Sequence, residues 1–331
     1  MIDVHTHVLP RTWPDLAARW GSGPWPRLVQ ETPGCGSLMI GDTPLRKVDA
    51  RLWDMASRLA AMDAAEVDRH VLSTVPVMFN YWAPPRAALD LARFLNDHVA
   101  SWVRERPDRF MGLGTLPLQA PDLAIAELER CVRELGLHGV QVGTHVLGRS
   151  WDDRDLEKVL AAAMALDAAV FIHPWDMLAT ERMPSWFAPW LVGMPTETAL
   201  AAGSLMFGGV LERLPNLRVG LAHGGGALPY LLGRFDRGFT ARPDLCATRT
   251  ACLPSVLWKR FYVDTLVQDG ATLRLLAEKS GLERLMLGTD FPFPLGEEDP
   301  GRVLSAAWPQ ETAVIRTQLD LQVLEFLGAR A

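Results

Sequence analysis

Histidine and aspartate residues recur at the ends of short apolar runs in this sequence. The first run carries His5 and His7, and later runs end in His173, His223 and Asp290. Residues i and i+2 of a strand face the same side, so His5 and His7 are expected to point together. Three imidazoles and one carboxylate suit zinc or a similar divalent metal with one position left open. We therefore predict a metal site whose ligands are His5, His7, His173 and Asp290.

His223 begins a His-Gly-Gly-Gly string, whose glycines allow the backbone to approach its neighbours closely. A metal ion lowers the pKa of a bound water, and such a water needs a base that titrates where histidine does. We predict that His223 is this acid/base group; the alternative is that it is a fourth histidine ligand. Asp290 could ligate the metal, shuttle a proton, or do both.

The number of metal ions is indicated by the fourth apolar run, residues 139–145. This run has no lysine or glutamate that could bridge a second ion, so we predict one Zn²⁺ per chain. His145 stands at the end of the same run, and its role stays open.

The elements that would position these residues alternate regularly. The apolar runs cover residues 2–8, 69–76, 110–117, 139–145, 169–175, 217–224, 260–266 and 284–290. Segments with a period of 3.6 residues cover 55–67, 87–106, 122–135, 153–167, 196–214 and 271–280. Near-continuously apolar strands separated by helices indicate a covered parallel sheet, and eight such units close a barrel. We predict an α/β fold, a (β/α)8 TIM barrel, whose chemistry lies at the carboxyl ends of the strands.

One domain over residues 1–331 accounts for this pattern. Residues 9–52, after the first strand, are rich in proline, glycine and tryptophan. Because long loops are usually functional or disordered, we interpret this segment as a small insertion that forms a lid over the barrel mouth. Residues 176–195 are expected to cover the mouth in the same way.

Composition narrows the classes of function. The net charge is −6 and no cluster of lysine and arginine is present, which argues against a nucleic-acid partner. No apolar run reaches the roughly 20 residues of a membrane span. The first residues, Met1-Ile2-Asp3, show no secretory signal, and the four cysteines form no CxxC pair. We therefore expect a cytoplasmic protein with reduced thiols and a small-molecule partner.

Several longer strings are more specific than the spacing of the histidines. They are STVPVMF at 73–79, GLGTLPLQAP at 112–121, GVQVGTH at 139–145, HPWDM at 173–177, PWLVGMP at 189–195, AHGGG at 222–226 and GTDFPFPLGE at 288–297. With these strings the chain resembles the metal-dependent decarboxylase branch of the amidohydrolase superfamily over nearly its whole length.

The resemblance implies a zinc-dependent, non-oxidative decarboxylation of a small dicarboxylate in tryptophan or 3-hydroxyanthranilate breakdown. It also implies a homodimer in which Arg46 binds a substrate carboxylate and Arg234 enters the site of the neighbouring subunit. Trp190 and Phe293 match residues that line the family's pocket. Two alternatives remain: a lactonase-type hydrolase on the same scaffold, which releases no carbon dioxide, and a metal-binding barrel without catalysis.

Overall fold

β-Strands form the centre of the molecule. The computed structural model describes residues 1–329. Its strands are β1 (Ile2–Val8), β2 (Pro26–Thr32), β3 (Cys35–Ile40), β4 (Thr43–Asp49), β5 (Arg69–Thr74), β6 (Phe110–Gly112), β7 (Gly139–Gly143), β8 (Ala169–His173), β9 (Val219–Leu221), β10 (Phe261–Asp264) and β11 (Leu285–Met286). β2, β3 and β4 form a small sheet of their own, whereas β1 and β5 to β11 are parallel.

The parallel strands follow one another around a barrel. One sheet has the order β1-β5-β6, and the other runs from β7 to β11 in sequence order. Gly114 bridges to Val140 where β6 meets β7. Where β11 meets β1, the Val4 N–H donates to the Leu287 carbonyl at 2.9 Å. Hydrogen bonds therefore join the two sheets at both seams, and the predicted (β/α)8 barrel is confirmed.

Helices cover the outer face of the barrel. They are α1 (Leu16–Trp20), α2 (Met55–Ala64), α3 (Pro85–Glu105), α4 (Pro121–Arg133), α5 (Arg154–Ala165), α6 (Met194–Phe207), α7 (Val210–Arg213), α8 (Leu228–Ala241), α9 (Pro243–Cys246), α10 (Pro254–Trp258), α11 (Gly270–Ser280), α12 (Arg302–Ala307) and α13 (Thr312–Leu327). The predicted helix over 196–214 is broken between α6 and α7, where Gly209 has a φ of +69° and a Cβ would lie 2.0 Å from the Arg249 carbonyl oxygen. Within residues 1–329, no helix combines the length and the apolar content that a membrane crossing requires.

The end of α13 closes the barrel at the amino ends of its strands. The Phe326 ring packs against Phe171 and Tyr262, with centroids 6.3 Å and 5.4 Å away. All three side chains are buried together with Ile2 and Val4. Because this end is filled by apolar side chains, the open end of the barrel is the one at which the strands finish.

Residues 9–52 form the antiparallel sheet β2-β3-β4 and the short helix α1. Trp25 and Leu38 from this segment are buried against Met78 and Leu91, which belong to the barrel and its helices. The sheet was not expected from the sequence, because frequent proline and glycine residues mask the alternation of its short strands. The description of residues 1–331 as one domain with a lid remains a prediction, and residues 330–331 lie outside the described part of the chain.

Candidate metal centre

Four side chains converge at the open end of the barrel. They are the predicted ligands His5, His7, His173 and Asp290, all buried, each with one ligand atom within 4.8 Å of the others. The ring centroids of His5 and His7 are 5.2 Å apart, and they lie 5.0 Å and 5.3 Å from that of His173. β1 carries two of these residues, β8 ends in the third, and Asp290 follows β11.

Each of the three imidazoles makes its hydrogen bond through Nδ1. The partners are the Asp264 carboxylate for His5 at 2.7 Å, the Thr74 carbonyl for His7 at 3.0 Å and the Pro174 carbonyl for His173 at 2.9 Å. A carbonyl oxygen can only accept, so the Nδ1 atoms of His7 and His173 carry the hydrogen. This arrangement fixes the tautomer and leaves the Nε2 lone pairs directed at one another, as in protein metal sites.

The donor atoms fit a cation. The Nε2 atoms of His5, His7 and His173 and the Oδ1 atom of Asp290 are buried and have no hydrogen-bond partner among residues 1–329. His7 Nε2 nevertheless lies 2.9 Å from Asp290 Oδ1. Two acceptor atoms repel each other at that distance unless a positive charge lies between them. The site therefore suits a divalent metal ion with nitrogen and oxygen ligands.

Electrostatics favour the protonation states that metal binding needs. Burial lowers the pKa of His7 and lowers that of His173 well below its usual value, so both imidazoles are neutral near pH 7. Burial alone would raise the pKa of Asp290, but the surrounding imidazoles, His223 and His7 first, hold it well below the usual range. Burial would also lower the pKa of His5, but the hydrogen bond to Asp264 and the nearby carboxylates raise it. The site thus combines two neutral imidazoles, His7 and His173, with an ionised carboxylate.

Left-handed backbone turns place two of the site residues. His223 has a φ of +55° and Asp290 a φ of +60°, values that residues other than glycine adopt rarely. Gly224, Gly225 and Gly226 continue the turn with positive φ angles, which only glycine adopts without strain. β9 and β11 end at Leu221 and Met286, before these turns and earlier than the predicted runs 217–224 and 284–290.

Asp264 is a site residue that the sequence-based prediction missed. Its carboxylate accepts hydrogen bonds from His5 Nδ1 and from the backbone N–H groups of His223, Gly224 and Leu266 at 2.7–3.1 Å. It therefore orients one predicted ligand and the turn that carries His223. The available signal was its position, since Asp264 is the polar residue at the end of β10.

Gly288 allows the barrel interior to hold these side chains. A Cβ atom at this position would lie 2.7 Å from the Asp264 Cβ atom and 2.9 Å from the His5 Cβ atom. Any larger residue would push both side chains away from the metal centre.

His223 stands beside the four donors and also lines the cavity at the open end of the barrel. Its ring centroid lies 5.1 Å from that of His5 and 4.9 Å from that of His173. Its Nε2 atom is 3.9 Å from Asp290 Oδ2, and its Nδ1 atom is buried without a hydrogen-bond partner in the described chain. Both ring nitrogens are therefore free for proton transfer or for a ligand.

A cavity of about 560 Å³ opens above the donors and is lined by the predicted residues Arg46, Trp190 and Phe293. The Arg46 guanidinium carbon, on β4, lies 4.8 Å from the Phe293 ring centroid and 5.5 Å from that of Trp190. Within residues 1–329, no carboxylate lies within ion-pair distance of Arg46. Burial lowers the pKa of Arg46, although the Asp290 charge opposes this effect. Because arginine stays protonated in proteins, Arg46 brings into the cavity a positive charge that has no ion-pair partner among residues 1–329.

Arg234 and His145 lie outside this cavity. Arg234 is exposed on α8, one turn after Tyr230, whose side chain is 86% exposed. His145 follows β7 and its Nε2 lies 3.0 Å from the Asp176 carbonyl oxygen. The structure of one chain thus brings together all of the predicted site residues except Arg234.

The amidohydrolase family model matches residues 2–326, and the chain belongs to this family. The 2-amino-3-carboxymuconate-6-semialdehyde decarboxylase of Dictyostelium discoideum is 47% identical over 99% of this chain and 91% of its own. The enzyme of the same name from Caenorhabditis elegans is 36% identical over 93% of this chain and 89% of its own. The crystal structure of 5-carboxyvanillate decarboxylase from Sphingomonas paucimobilis has a TM-score of 0.83 and 25% identity, and the match covers 99% of both chains. The resemblance inferred from the sequence strings is confirmed.

Proposed function

We propose that this protein is a metal-dependent decarboxylase that converts 2-amino-3-carboxymuconate 6-semialdehyde to 2-aminomuconate 6-semialdehyde. The observation that carries the proposal is the unpaired Arg46 guanidinium in one cavity with four convergent metal-ligand atoms. This substrate carries two carboxylates, and guanidinium groups bind carboxylates through a planar fork. The similarity to the Dictyostelium enzyme over almost the whole chain supports this substrate over other carboxylated compounds.

We propose one Zn²⁺ per chain, held by His5, His7, His173 and Asp290. The buried, unpartnered Nε2 atoms and the close Asp290 oxygen support this ligand set. The bound ion supplies a Lewis acid at the floor of the cavity.

The chain's own residues bind the substrate and move a proton. Arg46 anchors a carboxylate, and the Trp190 and Phe293 rings, both close to the guanidinium, offer apolar surfaces to the conjugated chain of the substrate. In the reaction the bond to one carboxylate carbon breaks, carbon dioxide leaves, and the electron pair stays on the conjugated skeleton. A proton then takes the place of the lost group. We assign this proton transfer to His223, whose ring is half-buried at the cavity wall, with Asp290 Oδ2 3.9 Å from its Nε2 atom.

We also propose that the active form is a homodimer in which Arg234 supplies a second cation to the partner's site. The exposed positions of Arg234 and Tyr230 on α8 support a contact between chains at this helix. The test mixes Arg234→Ala chains with His223→Ala chains, each inactive alone. Because one site of each mixed dimer is complete, equal mixing should restore about a quarter of the parental activity. No recovery in verified mixed dimers would contradict the shared site.

A cytoplasmic location is part of the same proposal. Cys35, Cys131, Cys246 and Cys252 are free thiols. Reduced cysteines are typical of proteins in a reducing compartment.

The function is tested by generating the substrate from 3-hydroxyanthranilate and following its absorbance together with carbon dioxide release. Metal-loaded protein should consume the compound and release carbon dioxide, and chelated protein should do neither until zinc is returned. Protein that binds metal but does not consume the compound would refute the proposed substrate. Consumption without carbon dioxide would instead indicate a hydrolase on the same scaffold, and failure to bind metal would refute the metal centre.

A further inference from the structure

A fully buried arginine lies behind the metal centre. Arg58, on α2, has no exposed side-chain surface. Its guanidinium donates to the His7 carbonyl, to the Thr6 hydroxyl at 3.4 Å, to His70 Nδ1 at 3.1 Å and to the Arg51 carbonyl at 3.1 Å. Two of these partners belong to the segment of β1 that carries the histidine ligands.

Arg58 has no acidic partner within ion-pair distance in the part of the chain that the structure describes. Its neighbours are instead the rings of Phe291 and Trp102, with centroids 4.9 Å and 5.8 Å from the guanidinium carbon. Burial lowers the pKa of Arg58 to about 9, which still leaves it charged at neutral pH. The charges of Asp3 and Asp49 favour the cation only from beyond ion-pair distance. A buried cation without a directly paired carboxylate is costly to folding, so stability alone does not account for Arg58.

The contacts of Arg58 occur where the barrel needs additional support. Pairing of β1 with β5 is irregular between Asp3 and Thr6, so the regular ladder is interrupted around His5. On the other side, the His7 N–H donates to the Phe291 carbonyl at 2.8 Å, and Phe291 directly follows Asp290. The Arg58 guanidinium therefore touches the carbonyl of one proposed ligand and the ring next to another.

We propose that Arg58 is a positioning residue whose planar guanidinium holds the His7 segment and the Asp290 turn at the separation that metal binding requires. This inference rests on the proposed metal centre. Arg58 touches neither substrate nor metal ligand atoms, and it acts only through the backbone of β1 and the packing of Phe291.

Charge and geometry make opposite predictions, which allows a test. If Arg58 acted only through its charge, its removal would strengthen binding of a divalent cation, because like charges repel. If it positions the ligands, its removal weakens binding even though a repulsive charge has gone. A lysine keeps the charge but cannot reproduce the planar fork of donors, so Arg58→Lys separates the two effects.

The experiment measures Zn²⁺ affinity by competition with a chelator for the parent, Arg58→Met and Arg58→Lys. Arg260→Met is the control, because the Arg260 guanidinium, like that of Arg58, donates to two backbone carbonyls, those of Leu211 and Pro215, but at the amino end of β10. We expect Arg58→Met and Arg58→Lys to lose 10–100-fold in affinity, the usual effect of removing a group that orients metal ligands. Arg260→Met should bind zinc as the parent does. The visible absorption of Co²⁺-loaded protein should change only in the Arg58 variants, since it reports ligand geometry.

The outcomes distinguish this inference from the proposed function. A parent that binds no metal refutes the metal centre itself. A parent that binds zinc while a folded Arg58→Met variant binds it equally or more tightly refutes the positioning role. Equal losses in Arg58→Met and Arg260→Met would indicate general destabilisation and also refute it. If Arg58→Met fails to fold, the test rests on Arg58→Lys. In that variant, a Zn²⁺ affinity equal to that of the parent and an unchanged Co²⁺ spectrum would refute the positioning role of the planar guanidinium.

Discussion

Asp264→Asn should damage the metal centre in either orientation of the new amide. In the parent, Oδ2 accepts from His5 Nδ1 and the His223 N–H, and Oδ1 accepts from the Gly224 and Leu266 N–H groups. If the amide nitrogen takes the place of Oδ2, this nitrogen donates to His5 Nδ1. The ring hydrogen of His5 then moves to Nε2, the atom directed at the proposed metal position. With the nitrogen in place of Oδ1, two buried N–H groups lose their acceptor, that of Gly224 in the His223 turn and that of Leu266 after β10.

The expected magnitude follows from these contacts. Loss of a partner that orients a metal ligand costs 10–100-fold in affinity, or about 1.4–2.7 kcal/mol. Each orphaned buried donor lowers the free energy of unfolding by about 1–3 kcal/mol. The assays are chelator competition for Zn²⁺ and thermal unfolding of the metal-free protein. The control is Asp269→Asn, because Asp269 caps α11 at the surface and asparagine caps helices equally well.

One result would refute this reasoning. In that result, the folded Asp264→Asn protein keeps a zinc affinity within twofold of the control and an unfolding free energy within about 0.5 kcal/mol of it. Such a protein would show that the carboxylate is not needed to orient His5.

Three further predictions concern turnover, substrate binding and acid stability. His223→Asn should lower kcat by at least about 100-fold and leave zinc content unchanged, because it removes a proton-transfer group but no proposed ligand; loss of zinc would instead favour the fourth-ligand alternative. Arg46→Met should lower kcat/KM about 10–100-fold, because it removes the group proposed to bind a substrate carboxylate. Arg27→Met, on the exposed face of β2, is the control and should leave kcat/KM unchanged; equal losses in both variants would contradict the role of Arg46. Burial lowers the pKa of His98 to about 4, so the unfolded chain takes up this proton at higher pH than the folded one and stability falls as the pH drops below about 6.5. Between pH 7 and pH 4, the unfolding free energy of His98→Gln should therefore fall by up to about 3 kcal/mol less than that of the parent, as measured by urea unfolding at each pH. An equal fall in both proteins would contradict this prediction.

The barrel and most of the site could be predicted because their signals are local. β1 has the predicted bounds, and its alternating His5 and His7 lie on one face of a continuous apolar run. The other predicted ligands follow the same rule, since each polar residue stands where an apolar run stops. The family resemblance then pointed to Arg46, Trp190 and Phe293, which spacing alone would not have distinguished from surface residues.

Features that depend on distant contacts escaped prediction. The left-handed turns at His223 and Asp290 were not predicted, and the first of them is held by hydrogen bonds to the carboxylate of a residue 41 positions away. Asp264 was overlooked because one aspartate at a strand end is uninformative until its partners are known. Arg58 lies in a helical segment where a charged residue is normally solvated, and only the packed structure shows that it is buried.

The metal centre straddles the seam between the first and last strands of the barrel. His5 and His7 stand on β1 and Asp290 follows β11, while the Thr289 hydroxyl donates to Asp3 across 286 positions of the chain. During synthesis on the ribosome, the first two ligands therefore emerge long before the fourth can join them. On the proposed ligand set, no intermediate that lacks β11 and Asp290 can bring all four ligands together, so full metal coordination requires the closed barrel.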